Sequence, residues 1–365
     1  RNSGNDTYKT MFRDAIIQQM FKHLNFETQA YQPAIVFLNS EYWGIFNIRE
    51  RFDKHYFKRV FDINDGELDY LENNALADEG DNIHYLNMID YVMNNDLSSN
   101  ENYYNVTTQM DVENYTDYFI ASIYTANYDW PHNNIEFWRK RTSQYEYNAQ
   151  DGQDGRWRWV MKDMDMAFNG APEWINDSFS HNTLEHSSSI GGDEIFNPEW
   201  STLLFRKLLE NDTFKNNFIN RFADLLNTSF LPSRLHNFID EAKNILAPEI
   251  QEHINRWETI ENITAWNNNI EVMKDFASQR PVYQRNHIRE KFNIVSNINA
   301  YLFVNDATQG YIKINTIDIV STTPGVTQNP YPWNGVYFKD IPVTLKANPL
   351  PGYEFSHWSG TLNST

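Results

Sequence analysis

Two short segments concentrate the polar side chains able to carry chemistry: NYDWPHNN at 127–134 and KDMDMAFNG at 162–170. Asp129 and Asn134 have the spacing D-x-x-x-x-N. In a phosphoryl-transfer loop of that spacing the Asp accepts the proton of a substrate hydroxyl and the Asn holds a metal ion. Asp163 and Asp165 add a pair of hard oxygen ligands of the kind that suits magnesium or manganese. Phosphoryl transfer asks for little covalent help from the protein. It needs a positioned hydroxyl and positive charge on the phosphates. On this reading Asp163 bridges metal to phosphate, with Asp165 beside it.

Each of these residues also has an ordinary reading. Asn is abundant in the chain, so a single D-x-x-x-x-N match is a weak signal. Asp163 and Asp165 serve equally well as a turn or a helix cap. Asp-x-Asp is also the metal motif of many nucleotide-sugar glycosyltransferases. Trp130, Trp138, Trp157 and Trp159 read better as packing than as a sugar platform, His132 as a loop hydrogen-bonder, and Glu50 as a solvated strand-end charge. The chain has no G-x-G-x-x-G, Walker loop, H-E-x-x-H or G-x-S-x-G. The residues alone therefore lead to an acidic cation site, with the reaction left open.

Both segments lie where a regular element hands over to a loop, which is where sites are usually built. Residues 111–127 read as an aromatic helix ahead of the first segment. IEFWRK (135–140) and RWRWVMK (156–162) alternate apolar and polar residues as strands do, and the second delivers Asp163. Upstream, 11–24 reads as a helix, and AIVFL (34–38) and WGIFNIRE (43–50) as a hairpin that ends on Glu50. A helix capped by Asp53 follows over 53–61. The acidic stretch 62–82 reads as loop, 83–95 as helix, and 169–198 as a loop or lid. Helices are expected at 199–211, 212–227, 232–256 and 266–292, the third broken or kinked at Pro248. Beyond about residue 304 short strand-like runs between Pro, Gly and Asn read as a small all-β module. The fold class is α+β, in two parts, 1–304 and 305–365.

The bulk properties narrow the function. The chain has 365 residues, 41% of them apolar and 15% aromatic, enough to bury a large core. Its net charge of −19, from 30 basic and 49 acidic residues, opposes binding to nucleic acid or anionic lipid. A phosphate ligand is still acceptable where a divalent cation neutralises it. There is no cysteine, which excludes disulfides, thiolate catalysis and Cys-based zinc sites. No apolar run is long enough for a membrane-spanning helix. The sequence opens at Arg1 and lacks a charged start followed by an apolar stretch, so any signal peptide is expected to lie outside it.

Four pieces in this order resemble the CotH (spore coat protein H) kinase family: RNSGND…MFRDAIIQQM (1–20), PAIVFLNSEYWGIFNIRERFDKHYF (33–57), NYDWPHNNIEFWR (127–139) and GRWRWVMKDMDMAF (155–168). The resemblance covers about residues 1–300. It implies an atypical, kinase-like fold that binds ATP with Mg2+ or Mn2+ and phosphorylates Ser/Thr hydroxyls of protein substrates, in a secreted or cell-surface protein. Position by position, Asp129 is similar to the catalytic Asp, Asn134 to a companion metal or nucleotide ligand, Asp163 with Asp165 to the metal site, and Glu50 to a hairpin Glu that orients a phosphate-binding Lys. The family's R-G-N-S-S…K-K-x-Y segment, which supplies that Lys, is expected to lie before this sequence begins. Its Gly after D-x-D-x-x-F is Asn169 here, with Gly170 next. The tail VTLKANPLPGYEFSHWSG (343–360) resembles a Listeria–Bacteroides-type surface repeat, which implies an envelope setting in a bacterium of the Bacteroides group. A non-catalytic surface or carbohydrate-associated protein of the same fold, or a glycosyltransferase using Asp163 and Asp165, is the alternative.

Overall fold

The computed structural model describes residues 4–173, 177–190 and 197–360. The architecture is α+β. Helix α1 (Arg13–Phe21) leads into a hairpin of β1 (Tyr31–Leu38) and β2 (Glu41–Arg49), turned by Asn39 and Ser40 in left-handed conformation. Such a two-residue turn with φ positive at both positions matches the natural twist of the strands it joins. Asp53 caps α2 (Lys54–Phe61), its carboxylate accepting the N–H groups of His55 and Tyr56.

The stretch 62–82 is where the sequence reading is corrected. It contains β3 (Leu68–Glu72) and β4 (Leu76–Glu79), and β3 is an inner strand of the central sheet. The acidic residues hid it. Asp69 is buried and receives Arg139 at 3.0 Å and Arg141 at 2.6 Å, so its charge is matched inside the sheet rather than solvated in a loop. Next come α3 (Ile83–Asn94), α4 (Asn100–Thr107), which the sequence reading had not expected, and α5 (Val112–Thr125). The sheet is completed by β5 (Glu136–Lys140) and β6 (Arg158–Val160), antiparallel, in the order β4-β3-β5-β6.

β6 is short and lies at the sheet edge, and two elements cover it. The buried Asn114 of α5 accepts the Trp159 N–H at 2.7 Å and donates to the Trp159 carbonyl at 3.1 Å. Glu27 gives its carbonyl to the Met161 N–H at 2.9 Å. The strand is thus fixed up to the residue before Lys162.

In the 169–198 region the described residues include a 3-10 turn (Ser178–Ser180) and α6 (Thr183–Ser188). The helical part follows: α7 (Glu199–Leu208), α8 (Asp212–Leu226), α9 (Pro232–Leu246), α10 (Ile250–Trp257) and α11 (Ile263–Lys291). The break between α9 and α10 falls at Pro248, where a missing N–H and a ring clash end a helix. Then β7 (Asn297–Leu302), β8 (Gly310–Ile314), β9 (Ile317–Asp318), β10 (Trp333–Phe338) and β11 (Leu345–Pro349) form two small sheets, ordered β10-β7 and β11-β8-β9. One apolar cluster runs from Met11 through α5 and α8 to Ile312, Ile314 and Tyr337. Among the described residues no helix is long and apolar enough to cross a membrane.

Candidate phosphoryl-transfer site

The C-terminus of α5 is the point from which the site is built. The last carbonyls of a helix have no partner within it. Here Thr125 O accepts the Phe168 N–H at 3.0 Å, and the fully buried Arg280 of α11 donates to Tyr124 O at 2.8 Å and Ile123 O at 2.7 Å. Ala126 then turns left-handed (φ 48°) and releases the chain into 127–134. Buried Asn127 donates from Nδ2 to the Asp163 carbonyl at 3.1 Å, which joins the two polar segments.

Within the first segment, Asn134 Nδ2 donates to Asp129 Oδ2 at 2.7 Å, and Asn133 Nδ2 reaches the same oxygen at 3.3 Å. Asn134 therefore faces its own aspartate. Within the second, Asp163 follows the sheet edge with φ 49°, and Phe168 and Asn169 also lie in the left-handed region. Non-glycine residues in that region cluster at sites because surrounding structure has to hold them there. Gly170 closes the turn. A Cβ at that position would lie 2.3 Å from the Asp165 carbonyl oxygen, so the turn accepts no side chain.

The N-terminal residues clamp this turn from the far side. Asp6 and Arg13 form an ion pair at 3.1 Å with neither side chain exposed, and Arg13 Nη1 donates to Phe168 O at 2.7 Å. Lys9 donates to Gly170 O. Asp14 of α1 accepts the Met164 N–H at 2.9 Å and the Arg49 guanidinium at 2.6 Å, tying the turn to the hairpin.

Asp165 is the electrostatic centre. Burial first, then the charge of Asp163, and more weakly those of Asp129 and Asp14, push its carboxyl up to about 7; one backbone N–H, from Asn5, works the other way. Asp165 thus feels the charges of Asp163, Asp129 and Asp14. Among the described residues no group of three or more His, Asp or Glu side chains forms a ready metal cage. Magnesium does not need one. It is usually held by one or two carboxylates, with substrate phosphates and water completing its shell. The donor set fits that pattern: Asp163 and Asp165 are hard oxygen ligands whose repulsion a cation would relieve. Asn127 Oδ1 is buried with no hydrogen-bond partner.

Asp163 also lines a cleft of about 520 Å3 between the hairpin and the central sheet, with Arg49, Glu50, Phe52, Tyr70 and Lys162 among its walls. Glu50 follows the hairpin there, and among the described residues its carboxylate accepts Arg59 and the Ala30 N–H. The Lys–carboxylate pair in the cleft is a different one: Lys162 donates to Glu136 Oε1, and the Tyr70 hydroxyl donates to Glu136 Oε2. Burial raises the Glu136 carboxyl, with Lys162 opposing. The sequence reading missed this pair and Asp14. The signal for the pair was strand register. Val160 stands opposite Glu136 on β5, which brings Lys162, two residues further on, to the same side.

A model of the CotH kinase protein family matches residues 1–284, well over half of the 365-residue chain. The match takes in the hairpin, both polar segments and most of α11, and stops before β7. Among curated proteins none matches the chain significantly.

Proposed function

Because the chain belongs to the CotH kinase protein family, we propose that it is a metal-dependent phosphotransferase that moves the γ-phosphoryl group of ATP to Ser/Thr hydroxyls of protein substrates, on an atypical kinase-like scaffold. The observation that carries this reading is that Asp163 lines the cleft while Asp165, two residues on, is buried and feels the charges of Asp163 and Asp129. A magnesium or manganese ion held by Asp163 and Asp165 would supply the positive charge that phosphate oxygens need. Asp129, its carboxylate steadied by Asn134, is suited to orient the acceptor hydroxyl and take its proton. The hydroxyl oxygen bonds to the γ-phosphorus as the bridging P–O bond breaks, and ADP carries away that electron pair. Asn134 supports Asp129 through its Nδ2, and its amide oxygen is the atom that would serve as a metal ligand. A secreted or cell-surface location belongs to the same reading, and the resemblance of the C-terminal strands to an envelope module supports it.

Melting the protein with ATP and magnesium tests the proposal. Binding should raise the transition by RT ln(1 + [L]/Kd) in free energy, and γ-labelled ATP should label a Ser/Thr protein. A shift with a nucleotide sugar and none with ATP would replace the kinase by a glycosyltransferase. No shift with either would leave a non-catalytic binding protein.

A further inference from the structure

Lys162 directly precedes Asp163, and both line the same cleft. Its ammonium carries three N–H donors. Glu136 takes one of them, and among the described residues no other acceptor lies on it. The pair is one-sided. The Glu136 side chain is 5% exposed while that of Lys162 is 34% exposed. The carboxylate thus sits in the floor, pinned on its other oxygen by the Tyr70 hydroxyl, and the ammonium faces the cleft.

Stability alone is a poor account of this arrangement. An exposed ion pair contributes about 0–1 kcal/mol, and sinking one partner into the sheet adds a desolvation cost that an apolar pair would avoid. A cation held just past the end of a strand, beside an aspartate suited to bind metal, is what phosphate recognition requires, and lysine serves there as a point charge. The other cleft cations are placed differently. Arg49 is already engaged by Asp14 at 2.6 Å with its side chain 11% exposed, and Arg51 lies exposed beyond the end of the hairpin.

We propose that Lys162 is the side chain that contacts the phosphates of the bound nucleotide, its ammonium held in place by Glu136 on β5 and by Tyr70 behind it. This rests on the nucleotide-dependent reading above and gives the cleft a phosphate-binding lysine from within the described chain.

The test is calorimetric binding of ATP with magnesium, and of adenosine in parallel, to the full chain and its variants. Lys162→Met should weaken ATP roughly tenfold to a hundredfold, the range of a lost charge-assisted hydrogen bond, and leave adenosine unchanged. Lys162→Arg should recover part of the loss. Since Lys162→Met strands a buried carboxylate, the double variant Lys162→Met/Glu136→Gln removes both charges and should show the same selective loss. Equal ATP affinity in the native and double-variant proteins would overturn the assignment and leave the nucleotide reading standing. So would parallel loss of ATP and adenosine, or a selective loss in Arg51→Ala in place of Lys162→Met. Absence of ATP binding by the native protein would overturn both.

Discussion

The backbone N–H of Asn5 donates to Oδ2 of Asp165 at 2.6 Å, across 160 residues of sequence. This one donor opposes burial and the charges of Asp163, Asp129 and Asp14, and the carboxyl still rises to about 7 from an ordinary 3.8. The clamp that carries Asn5 therefore holds a carboxylate cluster under repulsion, a load that a bound cation would relieve.

A pH dependence follows with a definite sign. Between about pH 4 and pH 7 folded Asp165 keeps a proton that the unfolded chain has released, so its contribution is full below that window and is lost as pH rises through it. Without divalent cations, the native protein should lose more stability across that window than Asp165→Asn. Magnesium at pH 7 should raise the melting temperature of the native protein and do less for the variant. Identical slopes in urea titrations of the two proteins would count against a strained carboxylate.

Asp6 and Arg13 supply a stability prediction. Both side chains are fully buried, and Asp6 also accepts Thr10 Oγ1 at 2.5 Å and the Arg13 N–H at 3.0 Å. Asp6→Asn leaves the guanidinium without its counter-charge, which should cost about 3–5 kcal/mol. The urea midpoint reads this directly. A loss below about 1 kcal/mol would mean that the carbonyls of Ala167 and Phe168 suffice for Arg13.

Asp163→Ala and Asp129→Ala should separate binding from chemistry. The first should remove magnesium-dependent ATP binding together with transfer. The second should leave ATP affinity within a fewfold of native and lower the transfer rate by about 10²–10⁴. Single-turnover labelling with a parallel affinity measurement distinguishes them. Equal weakening of ATP by both variants would move Asp129 into the nucleotide site.

The parts of this molecule that were legible from sequence are those fixed by local chemistry. Asp53 before an amphipathic run gave a helix start, and the β1–β2 hairpin and the break at Pro248 followed from residue type. β3 was not legible, because Asp69 reads as solvent-facing until Arg139 and Arg141 are known to meet it. α4 was missed because NENYYNVT has no clear apolar stripe. In the candidate site, the D-x-x-x-x-N spacing does bring Asn134 onto Asp129. The contacts of Asn5 with Asp165, Asp14 with Met164 and Glu136 with Lys162 depend on tertiary placement, and residue spacing carries no trace of them.

The last prediction concerns the strands after residue 304. Asp224 of α8 accepts Asn315 Nδ2 at 3.2 Å, the Thr316 N–H at 3.0 Å, Thr316 Oγ1 at 2.6 Å and the Tyr337 hydroxyl at 2.8 Å. Asn227 takes the Val336 N–H at 3.0 Å and returns a bond to its carbonyl at 3.0 Å. β10 pairs with β7, which lies on the other side of residue 304. These contacts bind the C-terminal strands to the helical part through buried polar groups, and such groups are costly once one partner is removed. Asp224→Ala leaves the Thr316 N–H and the Tyr337 hydroxyl facing an apolar side chain, and should lower stability by about 3 kcal/mol in one cooperative transition seen equally by near- and far-ultraviolet dichroism. Truncation after residue 304 should lower the melting temperature of what is left, because Ile312, Ile314 and Tyr337 belong to the same apolar cluster as α8. If Asp224→Ala instead produces an early transition confined to the strands, with the main transition unmoved, then 305–365 folds as a module of its own and its bonds to α8 only dock it.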